Sequence, residues 1–210
     1  MKITIIYDNT ALPGFDADWG FSCLVEVYGK RILFDTGALS EVLFKNMKKL
    51  GIEPGTIDEV FISHHHWDHY GGLTDFLEYN PAVVYLPPTC PEPSGAEEVV
   101  WVKEPMQIHE NIFSTGELNG IEQSLVVKLD KGLVILVGCS HPGVGNILKA
   151  ASQFGKPYAL IGGLHGFRKF DLLNDLSLVC ATHCTQFKKE IKTRFPEKWI
   201  EGGAGRIIEI

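Results

Sequence analysis

Four histidines and one aspartate occupy a six-residue segment, His64-His65-His66-Trp67-Asp68-His69. The apolar run Val60-Phe61-Ile62 precedes the segment, and Gly71-Gly72 follows it. A strand that ends in a tight loop of this kind can direct several of these side chains to one point. The candidate ligands are His64, His66, Asp68 and His69. Imidazole and carboxylate together suit a divalent transition metal such as zinc, manganese or iron. Four alternating ligands after a buried strand also argue against an accidental, solvated cluster of histidines.

Three further histidines follow apolar runs that occur later in the chain. His141 follows the run that ends at Val137, His165 follows the run that ends at Ile161, and His183 follows the run that ends at Ala181. Strand ends at the same edge of a sheet converge in space, and binding sites are commonly built at such edges. The sequence therefore predicts that these histidines gather at one edge of a sheet.

The elements that must position these residues are readable from apolar periodicity and turn signals. We expect a strand over Ile57 to Ile62 that delivers the histidine segment, and a helix that begins at an N-cap Ser40 and ends at Gly51. Gln123 to Leu129 and Leu133 to Val137 are predicted to form a hairpin, and Gly143 to Phe154 is predicted to form an amphipathic helix. The chain is thus rich in strands, with helices between them.

Composition limits the classes of protein to which the chain can belong. Its 210 residues fit one domain, residues 1–210, and 45% hydrophobic and 21% charged residues are ordinary for a globular protein. A net charge of −7 disfavours general binding to nucleic acids or anionic membranes. Five irregularly spaced cysteines disfavour a disulfide framework. With no signal-peptide or membrane-spanning pattern, we expect a cytoplasmic protein.

The motifs resemble those of the metallo-β-lactamase superfamily. The pattern His64-x-His66-x-Asp68-His69 matches its signature, and Leu33-Phe34-Asp35-Thr36-Gly37 matches its first motif. Within the superfamily the chain is most similar to a branch of small metal-dependent hydrolases that is labelled by similarity to a dihydropterin-linked synthase of methanopterin metabolism. The motifs that resemble this branch are Gly138-Cys139-Ser140-His141, Ile161-Gly162-Gly163-Leu164-His165 and His183-Cys184-Thr185.

The resemblance implies an α+β fold, a four-layer αββα sandwich, with two divalent metal ions, zinc before manganese or iron. It assigns His64 and His66 to the first metal ion. It assigns Asp68 and His69 to the second, with His183 as the last ligand. Cys139 stands where relatives have a bridging aspartate, so it is a candidate thiolate ligand or a small packing residue.

Two ligand assignments stay open in the sequence. The third ligand of the first metal is His141 or His109, and His141 is preferred because a glycine-rich loop can turn it inward. The last ligand of the second metal is His183 or His165. If His183 is the ligand, His165 is the candidate general acid that protonates the leaving group, because imidazole exchanges protons near neutral pH.

Other side chains have candidate supporting roles. Asp35 is predicted to accept a hydrogen bond from the second ring nitrogen of a metal-bound histidine. Asp68 is predicted to orient the attacking hydroxide as well as to bind metal. Arg168 and Lys169 are positioned in the sequence to meet an anionic group on the substrate.

The leading functional hypothesis is a dinuclear metal-dependent hydrolase, in which a metal-bound hydroxide attacks a small ester or phosphoester. One alternative is a metal-dependent synthase or lyase that acts on a pterin-like phosphate compound, and another is a non-catalytic metal-binding module. The expected partner is a small molecule, with an anionic one as the preferred class. Neither a nucleic acid nor a membrane is an expected partner, and a homodimer is an open alternative to a monomer.

Overall fold

The computed structural model describes all 210 residues, which form thirteen strands and five α-helices. The strands are β1 (Lys2–Tyr7), β2 (Ser22–Val27), β3 (Lys30–Phe34), β4 (Glu59–Phe61), β5 (Val83–Leu86), β6 (Glu98–Trp101), β7 (Met106–His109), β8 (Ile112–Ser114), β9 (Leu125–Leu129), β10 (Gly132–Val137), β11 (Pro157–Gly163), β12 (Leu178–Thr182) and β13 (Ile207–Glu209). The helices are α1 (Ser40–Leu50), α2 (Trp67–Tyr70), α3 (Leu73–Tyr79), α4 (Val144–Ala151) and α5 (Lys188–Arg194). No helix is long and apolar enough to cross a membrane.

Two compact units divide the chain. The first unit comprises Met1–Trp101 and Gly202–Ile210, and the second comprises Val102–Glu201. Each unit contains one mixed sheet and the helices that pack on it. The single-domain organisation expected over residues 1–210 stays a prediction.

The sheet of the first unit has seven strands in the order β13-β1-β2-β3-β4-β5-β6. The pairs from β13 to β3 are antiparallel, whereas β3, β4, β5 and β6 pair in parallel. Phe34 of β3 lies opposite Phe61 of β4, so the chain leaves both strands at the same sheet edge. This register brings the Asp35 segment beside the histidine segment, as the two motifs require.

Helix α1 covers this sheet and corrects one detail of the prediction. Its Leu43 and Met47 are fully buried in a core that also contains Leu33 and Val60. The helix ends at Gly51, whose φ of 67° is the left-handed conformation that favours glycine. The predicted N-cap at Ser40 is wrong, because the N-cap residue is Leu39 and the Ser40 hydroxyl donates instead to Asp75 of α3.

The sheet of the second unit has six strands in the order β12-β11-β10-β9-β8-β7. The predicted hairpin is present as β9 and β10, and β10, β11 and β12 pair in parallel. Val137 lies opposite Gly162, and Gly163 lies opposite Thr182. Three consecutive parallel strands therefore end together at one sheet edge, and each is followed by a motif that contains histidine. Helices α4 and α5 pack on this sheet through side chains that include Ile147 and Ile191.

Candidate metal centre

The histidine segment of the first unit starts directly after β4 and runs into the short helix α2. His64 and His69 are fully buried, and Asp68 is also buried. His65 and His66 are exposed. The His65 ring packs edge-on against Tyr70, with ring centroids 5.2 Å apart. The rings of His64, His66 and His69 are close neighbours: the His64 centroid lies 4.5 Å from that of His66 and 4.3 Å from that of His69.

Asp35 is the buried anchor of this segment. Its carboxylate accepts hydrogen bonds from the Ser63 backbone N–H and from the Ser63 hydroxyl, both at 2.7 Å. It also accepts one from Nδ1 of His69 at 2.7 Å. The predicted hydrogen bond from a histidine of the segment to Asp35 is thereby seen in the structure, whereas metal binding by His69 stays a prediction. Its φ of 54° is unusual for a residue other than glycine, and strain of this kind concentrates at functional sites.

These hydrogen bonds assign the tautomers of both buried histidines. A carboxylate can only accept, so Nδ1 of His69 carries a proton. The Ser63 hydroxyl already donates to Asp35, so it accepts from Nδ1 of His64 at 2.9 Å. In the neutral form of each ring, Nε2 is then the unprotonated nitrogen, and neutral imidazole is the form that binds metal ions.

The spacing of the ring nitrogens fits a shared cation. Nε2 of His64 lies 3.0 Å from Nδ1 of His66. Two nitrogens that bind one tetrahedral zinc ion lie roughly 3.3 Å apart, because each Zn–N bond is about 2.0–2.1 Å. A small rotation of the exposed His66 ring is enough to reach that separation. The donor set of imidazoles and one carboxylate thus fits a divalent transition metal.

Asp68 is held by a residue that sequence reasoning missed. The indole N–H of Trp19 donates to Oδ2 of Asp68 at 2.9 Å, and the same oxygen lies 3.9 Å from Nε2 of His69. The backbone N–H of Phe21 donates to the carbonyl of Asp68 at 3.1 Å. Between these two contacts lies Gly20, where an added Cβ would be 2.7 Å from the Asp68 carbonyl oxygen. Glycine is required there because the two segments approach closely.

The candidate residues of the second unit lie in the loops after β10, β11 and β12. His141 is partly buried, His165 is exposed and His183 is buried. The rings of His141 and His165 have centroids 5.2 Å apart. His165 and His183 have φ values of 47° and 46°, so both occupy the left-handed region, within two residues of the end of a strand. His109, the other candidate for the third ligand of the first metal, lies at the end of β7. β7 and β12 are the two outermost strands, on opposite sides of this sheet.

A buried glutamate organises the loop after β10. Oε1 of Glu122 accepts hydrogen bonds from the backbone N–H groups of Gly138, Cys139 and Ser140, each at 3.0 Å, and Oε2 accepts from that of His141 at 2.8 Å. One fully buried carboxylate thus binds four consecutive amides. It fixes the backbone that carries both Cys139 and His141. Sequence reasoning did not identify Glu122.

The loops after β10, β11 and β12 are joined by short hydrogen bonds. The Ser140 hydroxyl donates to the carbonyl of Gly163 at 2.7 Å, and the Leu164 N–H donates to the Thr185 hydroxyl at 2.8 Å. An added Cβ at Gly163 would lie 2.5 Å from the Gly138 oxygen and 2.7 Å from Sγ of Cys184. The glycines of this motif therefore allow the loops to touch.

Two thiols meet where these loops touch. Sγ of Cys184 lies 3.2 Å from Sγ of Cys139, and neither cysteine is in a disulfide. The hydrogen bond with Cys139 lowers the pKa of the Cys184 thiol to about 6. Burial opposes that shift, and the charge of His183 and hydrogen bonds with His165 add to it. Sequence reasoning did not anticipate this pairing.

Comparisons with known proteins agree on one family. Residues 20–151 match the family described as "Metallo-beta-lactamase superfamily". The chain is 30% identical to 7,8-dihydropterin-6-methyl-4-(beta-D-ribofuranosyl)-aminobenzene-5'-phosphate synthase of Methanocaldococcus jannaschii, over 93% of this chain and 91% of that protein.

Solved structures support the same assignment. The structure of Tm1679, described as a metal-dependent hydrolase of the beta-lactamase superfamily, superimposes on this chain with a TM-score of 0.82 and 28% sequence identity. The match covers 100% of this chain and 99% of the Tm1679 chain. The short form of human tRNase Z shares the fold alone, at 15% identity, a TM-score of 0.64, and coverage of 100% and 99%. The α+β fold class predicted from the sequence, the metallo-β-lactamase-like αββα sandwich, is confirmed.

Proposed function

Because the chain belongs to the metallo-β-lactamase superfamily, we propose that it is a metal-dependent hydrolase that cleaves a small ester or phosphoester with two divalent cations, zinc first among them. The observation that carries the proposal is the hydrogen-bond network of Asp35. That network holds both rings in place through Nδ1, so that the Nε2 of each neutral ring is the nitrogen available to a cation. Metal-binding histidines are commonly oriented in this way, by a hydrogen bond from the second ring nitrogen.

The proposal adopts the division of ligands that the family resemblance implies. By that resemblance, the ligands of the first cation would be His64, His66 and His141, and those of the second would be Asp68, His69 and His183. The nitrogen spacing between His64 and His66 supports the first pair, and the anchoring of the His141 backbone by Glu122 supports a fixed position for that ligand.

When bound, two divalent cations lower the pKa of a water molecule and polarise the bond that is cleaved. The residues of the chain supply the remaining functions. The Trp19 indole N–H and the carboxylate of Asp68 form a fixed pair, so that Asp68 can orient a proton of the attacking water. His165 is exposed beside the His141 ring, where it can donate a proton to the leaving group.

An anionic substrate is part of the proposal. Arg168 and Lys169 follow His165 by three and four positions. The Arg168 guanidinium lies over the Phe187 ring at 4.3 Å from its centroid, which holds this cation near the end of β11. Replacing Lys169 with alanine should raise the KM for a phosphodiester several-fold while leaving the KM for a neutral ester unchanged.

The test of hydrolysis uses protein loaded with Zn²⁺ or Mn²⁺ and two chromogenic substrates, bis(p-nitrophenyl) phosphate and p-nitrophenyl acetate. Turnover of at least one is expected, with a loss of about 100-fold or more in His66→Ala. His65→Ala is the matched control, because His65 is an adjacent exposed histidine that packs on Tyr70. Cation binding without turnover of either substrate would contradict the hydrolase proposal and favour a non-catalytic metal-binding module.

A synthase or lyase that acts on a pterin-like phosphate is the second candidate. Its support is the 30% identity to a protein named as a dihydropterin-linked phosphate synthase. Metal-loaded protein would then form a joined product from a pterin precursor and a ribosyl-aminobenzene phosphate, detectable by mass spectrometry. Formation of this product without hydrolysis of either chromogenic substrate would favour the synthase over the hydrolase.

A further inference from the structure

We propose that Cys139 and Cys184 form an oxidation site: a hydroperoxide, with hydrogen peroxide as the simplest case, converts this dithiol into an intramolecular disulfide. The two sulfur atoms are 3.2 Å apart in the reduced chain. A disulfide bond is about 2.05 Å long, so the sulfurs need to approach by only about 1.2 Å.

The surrounding backbone holds the pair in this position. Glu122 binds the Cys139 N–H, and the Gly163 N–H donates to the carbonyl of Gly138 at 3.0 Å. Gly163 lies beside the two cysteines, and its lack of a side chain leaves room for the sulfurs, because a Cβ there would lie 2.7 Å from Sγ of Cys184. The proximity of the sulfurs therefore follows from the strand ends themselves, and no large movement is needed to bring them together.

The chemistry balances with one peroxide. The Cys184 sulfur attacks one peroxide oxygen and the O–O bond breaks. The departing hydroxide takes the Cys184 thiol proton and leaves as the first water, while Cys184 becomes a sulfenic acid. The Cys139 sulfur then attacks the Cys184 sulfur, an S–S bond forms, and the displaced hydroxyl takes the Cys139 thiol proton and leaves as the second water. Two thiols and one hydrogen peroxide thus give one disulfide and two waters. A ring nitrogen of exposed His165 lies within 4.8 Å of both sulfurs, so His165 marks the polar side from which peroxide can reach the pair.

The oxidation has a consequence that rests on the proposed function. Cys139 is two residues from His141, and Cys184 is adjacent to His183. Drawing the sulfurs together displaces the backbone of both proposed ligands, so oxidised protein should retain less metal and hydrolyse more slowly. Reduction with a dithiol reagent should restore both properties.

The experiment exposes the 210-residue chain, both metal-loaded and after chelation, to a small excess of hydrogen peroxide. Free thiols are then alkylated, and the peptides are mapped by mass spectrometry. The expected result is a peptide pair linked through Cys139 and Cys184 that has lost two hydrogen atoms. Cys180→Ala, which removes another buried cysteine of the second unit, should form the same link. Cys184→Ala should not form it, and Cys139 should then be alkylated or over-oxidised.

Absence of the linked peptide from both metal-loaded and chelated wild-type protein would overturn the proposal. A link to Cys180 in place of this pair would also overturn it. This readout requires no enzymatic activity, so it stands apart from the test of the hydrolase. If the disulfide forms but metal content does not fall, the oxidation site holds and the assignment of His141 and His183 as ligands fails.

Discussion

Replacing Glu122 with glutamine tests whether one buried carboxylate holds the loop of Cys139 and His141. The amide keeps a carbonyl oxygen for the three amides now bound by Oε1. Its NH₂ group, however, faces the His141 N–H, so two donors oppose each other where a charge-assisted bond of 2.8 Å existed. Glutamate and glutamine have nearly the same size, so the loss of this hydrogen bond is not accompanied by a change in packing.

The magnitude follows from typical hydrogen-bond energies. A bond to a charged acceptor contributes about 1.5–3 kcal/mol, and a buried donor without a partner costs about 1–3 kcal/mol. Glutamine has no charge, so the variant avoids the cost of burying a carboxylate, and this gain offsets part of the destabilisation. We therefore expect Glu122→Gln to lower the free energy of unfolding by about 2–4 kcal/mol, a substantial share of the roughly 5–15 kcal/mol of a typical domain.

Urea denaturation and hydrogen exchange measure this effect. With a urea m value of about 2 kcal/mol/M, the midpoint should fall by about 1–2 M. The amides of residues 138–141 should exchange at least about 10-fold faster, since 1.4 kcal/mol corresponds to a factor of 10. Glu110→Gln, at an exposed glutamate of the same unit, should change stability by less than about 0.5 kcal/mol. An unchanged midpoint with unchanged exchange in Glu122→Gln would refute the reasoning.

Three other substitutions test separate parts of the account. Asp35→Asn should weaken zinc affinity about 10–100-fold in a dye-competition titration, because the amide cannot hold both Ser63 and His69 as the carboxylate does; an unchanged affinity would remove Asp35 from the site. Trp19→Phe should lower kcat more than it raises KM, because the substitution removes only the hydrogen bond to the Asp68 carboxylate. A variant with the same kcat and KM as the wild type would contradict a positioning role for Trp19. Burial, aided by two nearby glutamates, raises the pKa of Tyr85 from 10.0 to about 12, so unfolded chains ionise first and stability should fall between these pH values. The Tyr85→Phe variant should show a smaller fall, because Tyr70, whose pKa burial also raises to about 12, is still present. The difference in absorbance at 295 nm between the wild type and this variant should show a midpoint near pH 12.

The residues found from the sequence are those whose position after a strand is itself the signal. Asp35 and the histidine segment follow β3 and β4, which are parallel neighbours, so local pattern and sheet topology point to one place. His141, His165 and His183 follow the same logic after β10, β11 and β12. Apolar runs that end in polar, glycine-rich turns carry this information without any knowledge of tertiary contacts.

The residues missed from the sequence depend on contacts between distant segments. Glu122 binds amides 16 to 19 positions away, and its own flanks contain no motif. Trp19 reaches Asp68 across 49 positions, and the two thiols meet across 45. The N-cap prediction for Ser40 failed for the same reason, since its hydroxyl donates to Asp75, 35 positions away. Local propensity describes an element, whereas these partners are set by packing.

The most direct test of the central claim is the metal content of the purified 210-residue chain, measured by inductively coupled plasma mass spectrometry beside two variants. The account predicts two equivalents of a divalent transition metal in the wild type, one or none in Asp68→Ala, and two in His65→Ala. A wild-type chain that retains no transition metal, or an Asp68→Ala chain that retains as much as the wild type, would contradict it.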